Sequence, residues 1–583
     1  MSLLGHSFSI RCRIALGLLL VAVGCWDSAP SPSPSGGGGV PKSGSVSSSP
    51  IRFEEVTASS GVDFKYRNGE EAGEVAILES LGGGVGLFDL DGDGDLDLCL
   101  PGGGHYSDKK ADGKRDVLGW PHAIYRNDGD WHFTDVTASI GATASPHYSH
   151  GAAAADYDND GFCDLLITGY GGVLLLRNQG DGTLEEVAQS AGMTDRLWSS
   201  SAAWGDFNKD GMLDVYIAHY VDWSFDKHPF CPGPKAGTRE SCPPREFKGL
   251  PDVLYFSNGD GTFRDVSKES GLQFEGKGLG VLSADLDVDG DVDVYVGNDT
   301  VANFLYRNDG SGKFEEVGLV SGTALNQTGS PDGSMGVDVG DFNLDGLPDL
   351  WVANFERESI ALYRNDGNCL FQHVSQGAGV TAVGALYVGW GTAFCDFDND
   401  GDEDTFVSNG HVIRYPENAP IREKPLLFEN RSGKRLENVA AVVGSYFNEP
   451  HQGRGSAAGD LDRDGDQDLV ISCMNESVSL LKNITRAKHH WISLRLVGRQ
   501  SPRFPIGAVV TLKTSLGEQT HQIKGGTSYA STTDSRLHFG LGVEAKVDSV
   551  TIRWPSGEIQ ALGTLESDRA WVVIEQSAAV IDR

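Results

Sequence analysis

The nine residues Asp89-Leu-Asp-Gly-Asp-Gly-Asp-Leu-Asp97 set the pattern for most of this chain. Oxygen-bearing side chains occupy positions 1, 3, 5 and 9 of the stretch, and glycine occupies position 6. The same pattern begins again at Asp156, Asp206, Asp285, Asp341, Asp396 and Asp460. Seven copies of one loop indicate an internally repeated architecture.

Two further phrases alternate with this loop. A Tyr-Arg-Asn-Asp-Gly phrase, as in residues 125–129, predicts a strand that runs into a hairpin turn, and a Phe-x-x-Val phrase, as at Phe133, predicts the returning strand. Small residues precede each loop, as in residues 151–155, and an apolar strand follows it, as at Leu165. Each repeat therefore supplies about four strands.

Repeats of this kind predict an all-β fold, a seven-bladed calcium-loop β-propeller over residues 51–485 followed by a small β-rich domain over residues 486–583. The last loop has no Phe-x-x-Val phrase after it, whereas the copy at Phe53 has no loop before it. We expect residues 51–57 to complete the last blade and close the ring, which would remove an exposed sheet edge. The alternative is that Phe53 begins a blade of its own.

The loop composition predicts calcium as the cofactor, up to seven ions with one per loop. Calcium takes about six to eight oxygen ligands, and a glycine at position 6 lets the chain curl around the ion. Position 7 varies in residue type, so its backbone carbonyl is the expected ligand there. Asp-Gly repeats also form plain turns, but the same oxygen pattern in every copy favours calcium, and Mg²⁺ prefers fewer protein ligands. The predicted metal ligands are Asp89, Asp91, Asp93, Asp95, Asp97, Asp156, Asp158, Asp160, Phe162, Asp164, Asp206, Asn208, Asp210, Met212, Asp214, Asp285, Asp287, Asp289, Asp291, Asp293, Asp341, Asn343, Asp345, Leu347, Asp349, Asp396, Asp398, Asp400, Asp402, Asp404, Asp460, Asp462, Asp464, Asp466 and Asp468.

The charge balance is strongly acidic. The 583 residues include 82 acidic and 47 basic side chains, for a formal net charge of −35. This balance argues against nucleic acid as a partner, because binding to a phosphate backbone needs a basic surface. Much of the acidity lies in the loops, so we interpret it as a metal requirement.

The N-terminal residues predict export. Arg11 and Arg13 precede an apolar run over residues 14–24, which is too short to span a bilayer, so residues 1–25 are predicted to be a signal peptide. The run ends in Ala22-Val-Gly-Cys25, which resembles a bacterial lipobox with alanine in the usual leucine position. Lipidation at Cys25 and a plain secretory signal both remain open. Residues 26–50 are rich in serine, proline and glycine and are predicted to be a flexible linker. The expected location is extracytoplasmic, lipid-anchored at the cell envelope or secreted, with membrane contact only through such an anchor.

The cysteines predict one disulfide. Cys231 and Cys242 flank a proline-rich insertion, where a local bridge is expected in an oxidising compartment. The other five cysteines beyond the signal segment are scattered singly among apolar residues and are interpreted as small buried side chains.

These motifs resemble the FG-GAP/VCBS repeat family, whose calcium-loop propellers occur in integrin α-subunits and bacterial surface proteins. The C-terminal region resembles the ASPIC/UnbV domain through Pro505-Ile-Gly-Ala-Val-Val510, His538-Phe-Gly-Leu-Gly542 and Trp554-Pro-Ser-Gly557. The pairing of the two parts resembles cartilage-acidic-protein-like proteins. Where that family often has Tyr-x-Ser-Gln-Asn, this chain has Tyr529-Ala-Ser-Thr-Thr533. The resemblance implies the loop roles given above and no defined enzymatic activity.

The leading functional hypothesis is an extracytoplasmic calcium-binding recognition module for a protein or glycan ligand at the cell surface, acting in adhesion or as a scaffold. The longest insertion, residues 220–251, holds Trp223, Phe225 and Phe230, which could stack on sugars or anchor a partner, or could simply cover one end of the propeller. The alternative hypothesis is a calcium-dependent polysaccharide lyase or hydrolase. Its candidate side chains near the blades are His147, Tyr148, His150, His219, Tyr220, His411, His451 and Arg454.

Overall fold

The computed structural model describes residues 48–416, 419–577 and 580–582, and residues 47–583 form one compact unit. The predicted signal peptide, Cys25 and nearly all of the predicted linker lie outside the described residues. The fold is all-β, with short helical turns between strands, and is consistent with a β-propeller. None of the helices in the described part of the chain is long and apolar enough to cross a membrane.

In the described residues the repeats form seven antiparallel four-stranded sheets, which we number 1 to 7 along the chain. The strand bounds are Gly86–Phe88, Asp97–Leu100, Ala123–Asn127 and Phe133–Asp135 in sheet 1; Tyr148–Ala155, Asp164–Tyr170, Gly172–Asn178 and Leu184–Glu186 in sheet 2; Ser199–Gly205, Asp214–His219, Val253–Ser257 and Phe263–Asp265 in sheet 3; Gly278–Ala284, Asp293–Asn298, Phe304–Asn308 and Phe314–Glu316 in sheet 4; Ser334–Gly340, Asp349–Asn354, Ala361–Asn365 and Phe371–His373 in sheet 5; Gly389–Cys395, Asp404–Asn409, Leu426–Asn430 and Leu436–Asn438 in sheet 6; and Gly453–Gly459, Asp468–Cys473, Ser479–Asn483 and Phe53–Glu55 in sheet 7.

The fourth strand of sheet 7 comes from the N-terminal end of the described chain. Phe53 pairs with Asn483 and Glu55 pairs with Leu481, in antiparallel register. This pairing is the one that the unmatched phrase at Phe53 predicts, and it ties residues 53–55 to the last repeat sheet through a ladder of backbone hydrogen bonds.

Short helical turns and two small hairpins lie between the sheets. The α-helical turns span Thr57–Ser60, Gly318–Ser321, Ser375–Ala378, Thr381–Gly384 and Ala440–Val443, and the 3₁₀ turns span Glu70–Ala72, Ile77–Ser80, Phe225–Lys227, Pro244–Glu246 and Tyr446–Asn448. The small hairpins pair Gly104–Tyr106 with Val117–Gly119 and Cys231–Pro232 with Arg239–Glu240.

After residue 486 the chain builds its own sheets. One contains Leu537–Gly542, His490–Val497, Arg569–Ile574 and Val580–Asp582, another contains Glu518–Gln522, Val509–Lys513, Ser549–Arg553 and Ile559–Leu562, and Lys546–Val547 pairs with Leu565–Glu566. A single apolar cluster joins this region to sheets 2 to 4, since Trp204 and Val292 pack in the same core as Ile506 and Ile523. The C-terminal region is therefore packed against the repeats.

A loop of the C-terminal region, residues 525–533, bonds with the first strand of every repeat sheet in the described structure. We call it the central segment. Its bonds to sheets 1, 2, 4, 5 and 6 are Thr532 N to Val85 O at 2.8 Å, Ala152 N to Ala530 O at 3.1 Å, Ser283 N to Gly525 O at 2.7 Å, Ser528 N to Val337 O at 2.7 Å and Thr392 N to Ser528 Oγ at 2.9 Å. Its bonds to sheets 3 and 7 are Ala530 N to Ser201 Oγ at 3.1 Å and a contact of 3.4 Å between the Ser456 and Ser528 hydroxyls. The first strands of the sheets therefore surround one shared segment.

Small residues in these strands make that approach feasible. A Cβ added at Gly151, in the first strand of sheet 2, would lie 2.7 Å from Ala530 O, and one added at Gly84, just before the first strand of sheet 1, would lie 1.9 Å from Ala530 O. Both distances are too short for any side chain, so the glycine-rich pattern of the first strands serves contact with the central segment.

Candidate metal loops and the opposite end of the repeats

The Asp loops share one backbone geometry. The carboxylate at position 1 accepts a hydrogen bond from the N–H of the glycine at position 6, as between Asp156 and Gly161 at 2.9 Å and between Asp341 and Gly346 at 2.8 Å. The glycine has a positive φ in each copy, 102° at Gly161 for example, which is why position 6 is glycine. The chain thus curls back over the position-1 carboxylate before any cation is considered.

Position 4 is also left-handed, a requirement that the sequence pattern did not reveal. The φ angle is 61° at Asn159, 57° at Asn399 and 66° at Val288. Asparagine tolerates this conformation, whereas a β-branched valine is strained in it. The glycine and asparagines at position 4 of several copies were the available signal.

The aspartate at position 9 has a structural role besides its predicted role as a ligand. Asp97 Oδ2 accepts a hydrogen bond from Leu90 N at 2.7 Å, and Asp97 Oδ1 accepts one from Asn127 N at 2.7 Å. Burial raises the pKa of Asp97 to about 8 and that of Asp164 to about 9. Such buried carboxylates are costly to ionise without a cation nearby.

The oxygen atoms of the loops converge as a cation site requires. Single oxygens of Asp89, Asp91 and Asp97 lie within 4.8 Å of one another, and the same holds for Asp156, Asp158 and Asp164. Several loop oxygens are buried without a hydrogen-bond partner in the described structure: Asp156 Oδ1, Asp285 Oδ1, Asn343 Oδ1, Asp349 Oδ2 and Asp462 Oδ1. A hard divalent cation would satisfy these atoms, so the donor set fits calcium.

Side chains at position 7 are directed to neighbouring loops. The Asp95 carboxylate accepts from Arg463 Nε at 2.7 Å, and Asp466 Oδ1 accepts from Asn399 Nδ2 at 2.9 Å. These contacts occupy the Asp95 and Asp466 side chains, whereas Asp402 Oδ1 is buried without a hydrogen-bond partner in the described structure. The backbone carbonyl is the group that every position-7 residue can offer to a cation.

The asparagine of the hairpin phrase links successive sheets, a role that sequence reasoning missed. Asn365 Nδ2 donates to Leu286 O of the preceding loop at 2.8 Å and to Pro348 O at 3.0 Å. Equivalent bonds to the preceding loop run from Asn127 to Leu461, Asn178 to Leu90, Asn308 to Phe207, Asn430 to Phe342 and Asn483 to Phe397. Sheet 3 has Ser257 at this place. The recurrence of asparagine in this phrase was the sequence feature from which the link between sheets could have been predicted.

Arginines of the C-terminal region reach the position-1 carboxylates of three loops. Arg553 donates to Asp285 Oδ2, Arg495 Nη1 lies 3.6 Å from Asp89 Oδ2, and Arg503 Nε lies 3.5 Å from Asp156 Oδ2. The C-terminal region therefore covers the loop end of the repeats.

Comparison with known proteins agrees with this architecture. Residues 108–167, 156–217, 285–352 and 341–407 match the FG-GAP-like repeat, and residues 498–580 match the family described as ASPIC and UnbV. The chain carries FG-GAP repeats and a C-terminal ASPIC/UnbV domain. These two domain types suggest an extracellular recognition or adhesion module, and the disulfide fits that location.

Homology extends over most of the chain. Cartilage acidic protein 1 of Xenopus tropicalis is 25% identical over 518 residues, which covers 83% of this chain and 72% of that protein. The human protein of the same name is 25% identical over 505 residues, which covers 82% of this chain and 69% of that protein. Cartilage acidic protein 1 has the same architecture.

A solved structure with detectable likeness concerns specific recognition of non-reducing terminal N-acetylglucosamine by an Agrocybe aegerita lectin. It is 16% identical with a TM-score of 0.35, and the match covers 68% of this chain and 97% of that one. A likeness at this level carries no argument about what the FG-GAP and ASPIC/UnbV chain binds.

The histidines, tyrosines and arginine singled out in the sequence lie at the end of the repeats opposite the Asp loops, but they do not form one site. His150 Nε2 accepts from Trp198 Nε1 at 2.8 Å, and burial lowers the pKa of His150 to about 3. Tyr148 Oη donates to Asn68 O at 2.9 Å, and His219 contacts Asp195 at 2.9 Å. Tyr148 and His150 are in ring contact, with centroids 5.2 Å apart, and Trp198 packs against both His150 and Tyr220, so these three candidates lie close together in an aromatic cluster.

Arg454 differs from the other candidate side chains because it is a buried charged group bound by several backbone carbonyls. It is fully buried, its guanidinium lies 4.3 Å from the Trp390 ring centroid, and it donates to the carbonyls of Ser80, Gly410 and Gly453. Burial lowers its pKa to about 10. A charged side chain anchored on carbonyls in this way orders the chain segments around the repeat end.

The insertion over residues 220–251 is closed by the predicted disulfide between Cys231 and Cys242. Trp223 is buried, with 3% of its surface exposed, and packs against Tyr170, which agrees with the alternative that the insertion covers this end. Phe225 packs edge-on against Tyr106. Phe230 alone of the three aromatic residues is exposed, at 66%.

The same insertion reaches across the repeat end to sheet 6. Glu240 Oε1 and Oε2 accept from the backbone N–H groups of Arg414 and Tyr415, each at 2.9 Å. The ring of Phe230 lies 5.8 Å from the Arg239 guanidinium, and Tyr415 is 45% exposed. The insertion is therefore a cover for this end, with Phe230 as its own exposed ring, and the exposed Tyr415 belongs to the segment of sheet 6 that the insertion contacts.

Proposed function

We propose that the FG-GAP repeats form a closed seven-bladed β-propeller whose blades are stapled by calcium, one ion in each Asp loop. The pairing of Phe53–Glu55 with Ser479–Asn483 supports closure, as does a central segment bonded to the first strand of every described repeat sheet. The converging loop oxygens, with buried unpartnered atoms among them, support the metal. Calcium then acts as a structural ion that holds loop and strand together.

Chelation tests the metal. Dialysis against a calcium chelator should lower the melting temperature by many degrees, and calcium should restore it better than magnesium, because the loops offer several oxygens around a large cation. Elemental analysis of the purified chain should find calcium in several-fold molar excess over protein. Identical melting with and without chelator would contradict the proposal.

We further propose that the molecule is an extracytoplasmic recognition module for a protein or glycan ligand, and that its ligand binds at the end covered by residues 220–251. The observation that carries this assignment is that the ASPIC/UnbV domain occupies the Asp-loop end, through Arg495, Arg503 and Arg553. The opposite end carries the disulfide-closed insertion over residues 220–251, and it exposes Phe230 and Tyr415. Exposed aromatic rings beside a charged group are common anchors in recognition sites.

The test is a binding screen of the secreted chain on arrays of glycans and of cell-surface proteins, with calcium present. Phe230→Ala and Tyr415→Ala should each weaken binding by about tenfold or more. Leu516→Ala is the matched control, since Leu516 in the ASPIC/UnbV domain is also 66% exposed, and it should leave binding unchanged. If all three variants bound the ligand as tightly as the unmodified chain, the ligand would bind elsewhere.

The lyase or hydrolase alternative is tested by the same screen. Incubation with acidic polysaccharides should release no unsaturated or shortened products if the chain is a recognition module. Bond cleavage that depends on calcium would establish the enzymatic alternative.

A further inference from the structure

A mixed cluster of sulfur, nitrogen and oxygen donors lies in sheet 7, at the end opposite its Asp loop. One potential ligand atom from each of His451, Cys473 and Glu476 lies within 4.8 Å of the other two. Cys473 is 1% exposed, and the side chains of His451 and Glu476 are 19% and 17% exposed. We infer that these three side chains form a site for a thiolate-binding transition metal, with zinc as the best fit.

The equivalent position in other repeats shows that a cysteine is not needed for the fold. Cys473 pairs with the first residue of its neighbouring strand, as do Asn298, Asn354 and Asn409 in sheets 4 to 6. In sheet 4 the Asn298 Oδ1 accepts from Lys277 N at 2.7 Å and so closes the adjoining loop. Sheets 4 to 6 thus have an asparagine at this place, and in sheet 4 its side-chain oxygen works as the hydrogen-bond acceptor that closes the loop.

In sheet 7 a different residue performs that task. Glu476 Oε1 accepts from Gln452 N at 3.2 Å, and Gln452 stands where Lys277 stands in sheet 4. The thiol of Cys473 is released from loop closure and lies 3.7 Å from Tyr446 Oη. Where sheets 4 to 6 have one asparagine, sheet 7 thus uses both Cys473 and Glu476. The Cys473 thiol and Glu476 Oε2 are then free to face His451.

The distances suit ligands around a metal better than a direct ion pair. His451 Nδ1 lies 3.3 Å from Glu476 Oε2, whereas charge-assisted hydrogen bonds are usually about 2.7–2.9 Å long. Two ligands at about 2.0–2.2 Å from a tetrahedral zinc are separated by roughly 3.3 Å. The separation of these two atoms therefore already matches that of zinc ligands.

Neighbouring side chains hold the donors in place. The Tyr446 ring stacks on the His451 imidazole with 4.1 Å between centroids and an interplanar angle of 17°. Arg422 Nε lies 3.0 Å from Glu476 Oε1, which leaves Oε2 for another partner. His451 Nε2 is buried and has no hydrogen-bond partner in the described structure. The stacked ring is fixed with Nδ1 towards the carboxylate, so Nδ1 is the nitrogen that we assign to the metal.

The donor set selects the metal. Thiolate and imidazole favour zinc and related ions over calcium, which takes oxygen ligands. A thiolate, a carboxylate and a neutral imidazole together neutralise one divalent cation. Three protein ligands leave a fourth position for water or another ligand, as in open zinc sites. This site is independent of the calcium proposed for the Asp loops.

Cobalt(II) spectroscopy on the full chain tests the inference. The protein is stripped of metal, saturated with calcium to fill the Asp loops, and titrated with cobalt(II). We expect a thiolate-to-cobalt charge-transfer band in the near ultraviolet that saturates at about one equivalent and disappears when zinc is added. Cobalt held by oxygen ligands alone gives no such band, but Cys369 lies within 4.8 Å of Asp287 and Asp293 in one Asp loop. Cys369→Ser is therefore a required control, and it should keep the band if Cys473 is the ligand.

Matched variants locate the ligands. Cys473→Ala should abolish the band, whereas Cys99→Ala, at a buried free cysteine in sheet 1, should retain it. Glu476→Gln keeps a hydrogen-bond acceptor for Gln452 and should weaken cobalt affinity by more than about tenfold while keeping the sulfur band. The absence of a thiolate band in the unmodified protein, or an unchanged band in Cys473→Ala, would overturn the assignment. The first of these outcomes needs no variant, so it stands even if a variant folds poorly.

Discussion

Replacing Asn365 with serine isolates the bond that ties one repeat sheet to the next. The asparagine side chain is buried, donates to Leu286 O and Pro348 O, and accepts from Gly367 N at 2.9 Å. Serine already occupies this place in sheet 3, where Ser257 Oγ accepts from Gly259 N at 3.2 Å. Asn365→Ser should therefore keep the local turn and remove only the two bonds donated by the amide.

The magnitude follows from the burial of those two bonds. Each side chain–backbone hydrogen bond contributes about 0.5–1.5 kcal/mol net, and a buried carbonyl left without its donor adds to the cost. We expect Asn365→Ser to lower the free energy of unfolding by roughly 1–3 kcal/mol. The assay is urea unfolding in saturating calcium, followed by tryptophan fluorescence, in which the midpoint should fall with little change in slope.

Arg364→Ser is the control on the same strand. The bonds from its guanidinium to Asp366 and Gln372 are exposed, so its loss should change stability by less than about 0.5 kcal/mol. If Asn365→Ser and Arg364→Ser had the same urea midpoint, the bond between sheets would contribute nothing measurable, and the reasoning would be refuted.

Three further outcomes are expected. Burial opposes protonation of His219, but the hydrogen bond and charge of Asp195 outweigh burial and raise the pKa of His219. The protonated His219 therefore stabilises the fold below the unfolded pKa of about 6.5. This stabilisation is lost as the pH rises through the higher folded pKa. His219→Asn, which copies the asparagine of later repeats, should make the melting temperature depend less on pH as the pH rises above about 6.5. Val288→Asn should raise the free energy of unfolding by about 1 kcal/mol, because it relieves a left-handed β-branched residue, whereas Val288→Thr should not. Ending the chain before residue 486 removes the central segment and part of the shared core, so the shortened protein should melt many degrees lower or fail to accumulate in soluble form; unchanged melting would contradict that role.

The repeats could be predicted from sequence because each copy must satisfy the same local chemistry. Oxygen side chains at alternate positions and a glycine at position 6 fix the curl, which the structure shows in contacts such as Asp156 to Gly161. The N-terminal strand could also be placed, since Phe53 belongs to a phrase whose partner is missing from the last repeat. Counting unmatched phrases requires no knowledge of distant contacts.

The central segment could not be predicted in this way. Locally, residues 525–533 are a loop rich in small and polar residues, and their partners are far away in the chain, such as Ser283 for Gly525. The departure Tyr529-Ala-Ser-Thr-Thr533 becomes interpretable only in the structure, where Tyr529 Oη accepts from Gly82 N at 3.0 Å and the ring lies 4.7 Å from Trp390. The exposure of the insertion's aromatic residues was undetermined for the same reason, because burial of Trp223 depends on Tyr170 from another sheet.

The placement of the ASPIC/UnbV domain constrains where a ligand can act. Arg553 contacts the Asp285 carboxylate directly, so protein already neutralises part of that loop's charge, and with the proposed calcium bound the carboxylate would contact both cations. The ASPIC/UnbV domain is therefore expected to stay docked on the repeats with or without calcium, and the backbone hydrogen bonds of the central segment strengthen this docking. With the loop end covered and the first strands bonded to an internal segment, the loops have little freedom to engage a partner. Selectivity for a ligand is then expected to come from residues that differ between repeats. At the end opposite the Asp loops, such residues occur around the disulfide-closed insertion and around Cys473.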